Sequence, residues 1–322
     1  MFRKKQRPFR RLPFGAIWKI ACPVSISNVS LCSVCLPSIK RSAKRGIAEQ
    51  QTGVKDMKIE RYCPVWKERL PLLSAPRLYG DRVPVKLLRT NSGRVRQKIV
   101  DTHNYFRTQV NPPAANMLAM KWHPGLGKAA QKWANRCLGL VHDNATGRYL
   151  DDFGSSGQNI FITTRRTLWN FAIRMWYMEY KDFKYGNEEA NDYRKIGHYT
   201  QIVWATTHLV GCGVSHCTGG KGPLGKDFFM YVCNYAPSGN YKGQLSRPYV
   251  AGKPCSMCKD HCSYNKLCTN ACYYNDLWSN CAELVRTFRN WVCETNTKEG
   301  RERRKFCGAT CNCKDKIYYH HG

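Results

Sequence analysis

The sequence predicts an α+β domain with a largely antiparallel sheet, followed by a small disulfide-rich region. Helical and extended patterns follow one another without βαβ regularity. Two apolar, β-branched and aromatic runs at 209–217 and 228–236 flank the Gly-rich stretch TGGKGPLGKD, as a hairpin would. Ten of the eighteen cysteines fall between Cys255 and Cys313, a window of 59 residues. A segment that short buries little apolar surface, so a covalent constraint on its unfolded state is required, either disulfide or metal. Disulfides need an oxidising compartment, and this window therefore points to a secreted, extracellular protein.

The elements can be taken in chain order. Residues 1–91 hold twenty basic and five acidic side chains and show no lasting periodicity, so they read as a mostly disordered leader or propeptide, or a mis-chosen start. The opening MFRKKQRPFRRLPF has the basic character of a signal n-region, but the stretch after it is broken by Lys19 and Pro23. No pairing is assigned to Cys22, Cys32, Cys35 or Cys63, which lie in this segment. Folding is expected to begin near Ser92. Val95, Ile99, His103 and Phe106 form one stripe of a helix that Pro112 and Pro113 end. A second helix is expected over 124–137, through Ala129, Ala130, Trp133 and Ala134, and a strand over 157–164. Trp169, Ile173, Trp176 and Tyr180 give a third helix within 168–183, and HYTQIVWATT a short fourth at 198–207.

The net charge of +30 is uneven, half of it residing in the first 91 residues. Such a balance serves solubility alone or suits an anionic membrane surface or matrix. Nucleic acid is excluded as a partner, because the cysteine usage is extracellular and no basic–aromatic nucleic-acid module is present.

Two stretches carry a specific resemblance. GHYTQIVW at 197–204 resembles the first signature of the cysteine-rich secretory, antigen-5 and pathogenesis-related (CAP) superfamily, and YVCNYAPSGNY at 231–241 its second. The tail, with LCTNAC and ATCNCKDKIYY, resembles the C-terminal domain of the cysteine-rich secretory proteins. The resemblance covers about 92–322. It implies an α-β-α sandwich at 92–237, a linker and disulfide hinge at 238–271, and a toxin-like cysteine-rich (ShKT-like) domain at 272–322.

The family's cleft holds two histidines and two acids. Carried over by motif, these are His142, His198 and Glu179, while Gln158 in Gly157-Gln158-Asn159 stands where an acid is expected. Two imidazoles with carboxylates suit zinc, so His142 and His198 are expected as ligands and Glu179 as ligand or orienter, with weaker binding because glutamine is neutral. No cofactor is required for a binding function. The resemblance also implies the pairs Cys137–Cys217, Cys212–Cys233, Cys255–Cys262, Cys258–Cys268, Cys272–Cys313, Cys281–Cys307 and Cys293–Cys311. A further family disulfide would fall at Ser156 and Ala236, and both cysteines are missing together.

The function implied is binding: modulation or block of a membrane ion channel, or of another cell-surface protein, by the C-terminal domain. Arg286, Phe288, Arg289 and Trp291, expected in a loop between cysteines, would meet the channel, followed by the run Arg301, Arg303, Arg304 and Lys305. The alternatives are lipid, sterol or anionic-matrix binding by the first domain, and a metal-dependent hydrolase in the His142/His198/Glu179 cleft. Hydrolysis is disfavoured, since no H-E-x-x-H or nucleophile motif occurs, Ser155 and Ser156 being the nearest hydroxyls. Asn144-Ala145-Thr146 is a glycosylation sequon in a polar loop.

Overall fold

The computed structural model describes residues 80–219, 225–263 and 266–318, all within one compact unit, Arg69–Gly322. The readings of 1–79, including its four cysteines, lie outside the described residues.

Seven helices and eight strands are described: α1 (Gly93–Arg107), β1 (Lys121–Trp122), α2 (Pro124–Ala134), β2 (Tyr149–Leu150), β3 (Gly154–Ser155), β4 (Gly157–Thr163), α3 (Trp169–Tyr177), α4 (Tyr193–Ile202), β5 (Leu209–Cys217), β6 (Phe228–Ala236), β7 (Cys262–Ser263), β8 (Leu267–Cys268), α5 (Cys281–Arg289), α6 (Lys298–Phe306) and α7 (Gly308–Asn312). The central sheet has the order β1-β5-β6-β4, with β1 parallel to β5 and the other pairs antiparallel.

The period-2 alternation of β6 sets the layers. Tyr231, Cys233 and Tyr235 face a core shared with α1, α3 and α4, whereas Phe228, Met230 and Val232 face Ala130 and Ala134 of α2. Both faces are covered, which is why these strands read as near-continuous apolar runs and why the architecture is an α-β-α sandwich. α2 lies directly on β5 because two positions there lack a side chain. A Cβ on Gly211 would strike the backbone of Leu126 and Gly127, and one on Gly213 that of Gln131.

Arg107, at the end of α1, is almost fully buried and donates to the carbonyls of Leu118, Ile202, Trp204 and Ala205 at 2.8–3.0 Å. Burial lowers its pKa to about 9, and it satisfies carbonyls that the end of α4 leaves open. No local pattern marks this anchor for α4.

Several boundaries shift. The fold starts earlier than Ser92: Val83 and Leu88 are buried, Gly80 N donates to Arg166 O at 2.8 Å, and the Trp169 indole donates to Leu88 O at 2.9 Å. Short 3-10 turns without periodicity hid this packed segment among its charges. α2 stops at Ala134, α4 begins five residues before His198, and α3 gives way after Tyr177 to a 3-10 turn, Met178–Lys181.

The cysteine-rich tail is docked on the sandwich. Cys268 N donates to Met117 O at 2.7 Å, Ala119 N to Cys268 O at 2.8 Å, and Lys121 Nζ to the Tyr273 hydroxyl at 3.2 Å. No helix among the described residues is long and apolar enough to cross a membrane.

Candidate functional site

Among the described residues seven disulfides are formed: Cys137–Cys217, Cys212–Cys233, Cys255–Cys262, Cys258–Cys268, Cys272–Cys313, Cys281–Cys307 and Cys293–Cys311. The register of β4 on β6 pairs Gly157 with Tyr235, so one step further sets Ser156 opposite Ala236.

The cleft residues arrive on separate elements. Gln158 is on β4, His198 on α4, Glu179 on the 3-10 turn after α3, and His142 in the stretch between α2 and β2. The turn after α3 swings Glu179 towards α4, where one oxygen accepts from the backbone N–H groups of His198 and Tyr199 at 2.9 and 3.1 Å. Its other oxygen lies 2.6 Å from His198 Nδ1. Both oxygens are therefore engaged, so in this arrangement Glu179 orients His198, one of the two roles expected of it. The Trp176 ring lies alongside the imidazole, with centroids 6.3 Å apart.

The second histidine is held in the same manner. Gln158 Oε1 lies 2.9 Å from His142 Nδ1 and also accepts from Asp143 N at 3.1 Å. Gln158 Nε2 donates to Asn234 Oδ1 at 3.0 Å. The His142 pKa is lowered, chiefly by desolvation, against a raising contribution from Gln158; the positive charges of Arg148 and His198 lower it further. The imidazole is thus held neutral. With Nδ1–H of His142 donating to Gln158 Oε1, that tautomer is fixed and its Nε2 lone pair is free.

Three asparagines that composition did not flag complete the frame. Asn159 donates to His198 O at 3.1 Å, Asn240 to Gly197 O at 2.8 Å, and Asn234 receives Gln158. Their signal was present: all three sit within the motif stretches around 157–159 and 231–241.

The donor set decides what the cleft can hold. Among the described residues, the only three ligand atoms lying within 4.8 Å of one another are the sulfurs of Cys255, Cys258 and Cys268, which are in disulfides. His142, His198 and Glu179 form no such trio. Two imidazole nitrogens fall short of the three protein ligands of a catalytic zinc site. Nor is there a prepared nucleophile: Ser156 is buried and its hydroxyl donates to Arg148 O at 2.7 Å.

In the tail, the expected loop is a helix. Arg286, Phe288 and Arg289 lie on α5, and Trp291 on the following π-helical turn, Asn290–Glu294. Cys281, Val285, Val292 and Cys293 pack inward and impose the helical period, while Phe288 breaks it with non-helical angles. That break leaves Phe288 56% and Trp291 49% exposed. The Arg303 guanidinium, from α6, stacks 4.1 Å from the Trp291 ring centroid and donates to Trp291 O at 3.1 Å. Arg289 pairs with Glu294 at 3.3 Å, both exposed. Asn144 is exposed, its side-chain oxygen accepting from Gly147 N at 2.7 Å.

Together, a three-layer sandwich with a histidine-bearing cleft and a docked five-disulfide tail define a CAP domain joined to a cysteine-rich C-terminal domain. The model of the cysteine-rich secretory protein family matches residues 100–235, and the Crisp model matches 255–318. The chain is 40% identical over 232 residues to cysteine-rich secretory protein 2 of Cavia porcellus, covering 71% of this chain and 87% of the relative. It is 39% identical over 231 residues to cysteine-rich secretory protein 3 of Homo sapiens, covering 72% and 88%. Among solved structures it is similar to Na-ASP-1, with 29% identity, a TM-score of 0.45 and coverage of 54% of this chain and 46% of that one. The chain belongs to the cysteine-rich secretory protein family, whose members are secreted, extracellular proteins.

Proposed function

We propose that this chain acts by binding, modulating or blocking a membrane ion channel through its C-terminal domain. The observation that carries the reading is the exposed pair Phe288 and Trp291, two large aromatics beside Arg286, Arg289 and Arg303 on a scaffold locked by three disulfides. Aromatic side chains left in water on a rigid support offer contact area at little entropic cost. Neighbouring guanidinium groups suit a vestibule ringed by carboxylates and carbonyls. The action is occlusion without bond chemistry, so it is reversible and weakens as salt rises.

The cleft plays a secondary part in this reading. His142 and His198 would be the residues that hold zinc, which would supply a bound cation to the cleft without catalysing a reaction. The test is application of the full-length oxidised protein to cells expressing potassium, calcium or ryanodine-type channels. The full chain is used because residues 255–268 are docked on the sandwich. Current through at least one channel should fall reversibly; no effect across the panel overturns the reading.

A further inference from the structure

A second surface lies at the opposite end of the described chain from the aromatic pair. Residues 80–98 run along the sandwich and border three adjoining grooves of about 810, 500 and 560 Å³. All three share Arg89 as a wall; Asn91 is common to the first two, and Val214 to the second and third. The result is one continuous furrow.

Its walls combine apolar side chains, among them Leu87, Leu168 and Trp169, with a row of cations. Lys86, Arg89, Arg94, Lys98, Lys128 and Arg165 line it, and each is exposed. None of these six side chains has a protein partner among the described residues. The contrast with two neighbouring arginines is informative. Arg96 donates to Thr90 O at 2.6 Å, and Arg166 to Val83 O at 3.1 Å and to Asp81 at 2.7 Å. Those two guanidinium groups hold the segment in place. Asp81 is the single acid on the furrow, and Arg166 already neutralises it. Six unpaired cations held together repel one another, a cost that an anionic ligand relieves.

We infer that this furrow binds a sulfated polysaccharide, a linear polyanion of the glycosaminoglycan type. Guanidinium forks match sulfate oxygens in a two-pronged geometry, and lysine ammonium groups serve as point contacts. A furrow with cations along its walls fits a chain better than a flat surface. A bilayer is a poorer match: binding there is strengthened by apolar side chains that enter the headgroup layer. Val85 is the only exposed large apolar residue on this furrow. The inference is independent of the channel reading, since it involves neither α5 nor the cleft.

The test compares the full-length protein with Arg89→Ala/Arg94→Ala/Lys98→Ala and with a control of equal charge change, Lys242→Ala/Lys253→Ala/Lys259→Ala, whose lysines are exposed and outside the furrow. Binding to heparin, to desulfated heparin and to phosphatidylserine vesicles is measured against salt, with thermal melting as the check on folding. The furrow variant should melt like the parent and lose about tenfold in heparin affinity, equivalent to about 1.4 kcal/mol, with a shallower salt dependence. The control should lose less than about twofold, the step expected when only long-range, screened charge is removed. Desulfated heparin should bind the parent poorly. Equal losses in the two variants would reduce the effect to net charge and overturn the inference. So would an unchanged heparin affinity, including the case in which only vesicle binding falls.

Discussion

Replacing Gln158 with glutamate puts a charge at the one cleft position where the chain departs from the family's motif. Gln158 Oε1 is 2.9 Å from His142 Nδ1, and Gln158 Nε2 is 3.0 Å from Asn234 Oδ1. The second contact becomes oxygen against oxygen in the variant. Asn234 can relieve it, because its Nδ2 is buried without a partner; turning the amide over presents that N–H to the carboxylate. The count of unpaired atoms is unchanged, so the cost in stability should stay near 1 kcal/mol or below. The electrostatic effect is larger. A unit charge pair at 4 Å is worth about 1 kcal/mol in water and about 4 kcal/mol at an effective dielectric of 20. His142 keeps contact with solvent, which places the pair towards the lower end. About 1.4 kcal/mol corresponds to a tenfold rise in proton affinity. In the parent, desolvation lowers the His142 pKa; in the variant it should move upward. A carboxylate on Nδ1–H also makes Nε2 a better donor, so zinc should bind about tenfold more tightly above the histidine range. NMR titration of the His142 ring in metal-free protein reads the first effect, and calorimetry with zinc the second. An unmoved His142 titration, or equal zinc affinity in the parent, Gln158→Glu and His198→Ala, refutes the assignment of this cleft.

Further outcomes follow from the same frame. His103 and His208 are buried, and desolvation lowers each pKa to about 4 against an ordinary value of 6.5. Between those values the unfolded chain binds more protons, so stability rises with pH there and is lost on acidification. From pH 7 to 5.5 the two together should remove about 2.5 kcal/mol, read as a lower urea midpoint; a flat midpoint contradicts it. The double variant Ser156→Cys/Ala236→Cys should close an eighth disulfide, because opposed residues of antiparallel strands lie about 4.5–5.5 Å apart at Cα. The closed loop of 80 residues is worth up to about 4.5 kcal/mol, less about 1 kcal/mol for the lost Ser156 hydrogen bond; two free thiols by mass would contradict the register. Secreted from eukaryotic cells, the chain should carry a glycan on Asn144, since its loop is exposed, and an Asn144→Gln variant should remove that part of the deglycosylation shift.

Much of this architecture was legible because its signals are periodic or covalent. β5 and β6 begin and end where the apolar runs do, since both faces of those strands are buried. His142, His198 and Gln158 were found by motif, and the structure sets each ring against its oxygen partner. What escaped the sequence depends on contacts between distant segments. Nothing local marks Arg107 as the clasp of α4, because its four acceptors come from two other stretches of chain. Residues 80–91 resembled their charged surroundings, as only Val83 and Leu88 bury an apolar side chain deeply. Glu179 could have been ligand or orienter until the turn after α3 was seen to engage both its oxygens. Residues 286–291 read as a loop because four of them are polar or basic, while the two cysteines and two valines that enforce helicity lie on either side of the segment.

In the function proposed above, the exposed aromatics of the C-terminal domain act on the channel and the cleft does not. The most direct measurement is a dose–response on a responsive channel with the parent, Phe288→Ala/Trp291→Ala and His198→Ala, all full-length and with the seven disulfides of residues 137–313 verified by peptide mapping. Both aromatics are about half exposed, so their removal should leave folding intact. The account predicts that the aromatic variant weakens block at least tenfold, about 1.4 kcal/mol or more, while His198→Ala stays within about twofold of the parent, a difference of about 0.4 kcal/mol. Block lost in His198→Ala and retained in the aromatic variant would contradict it.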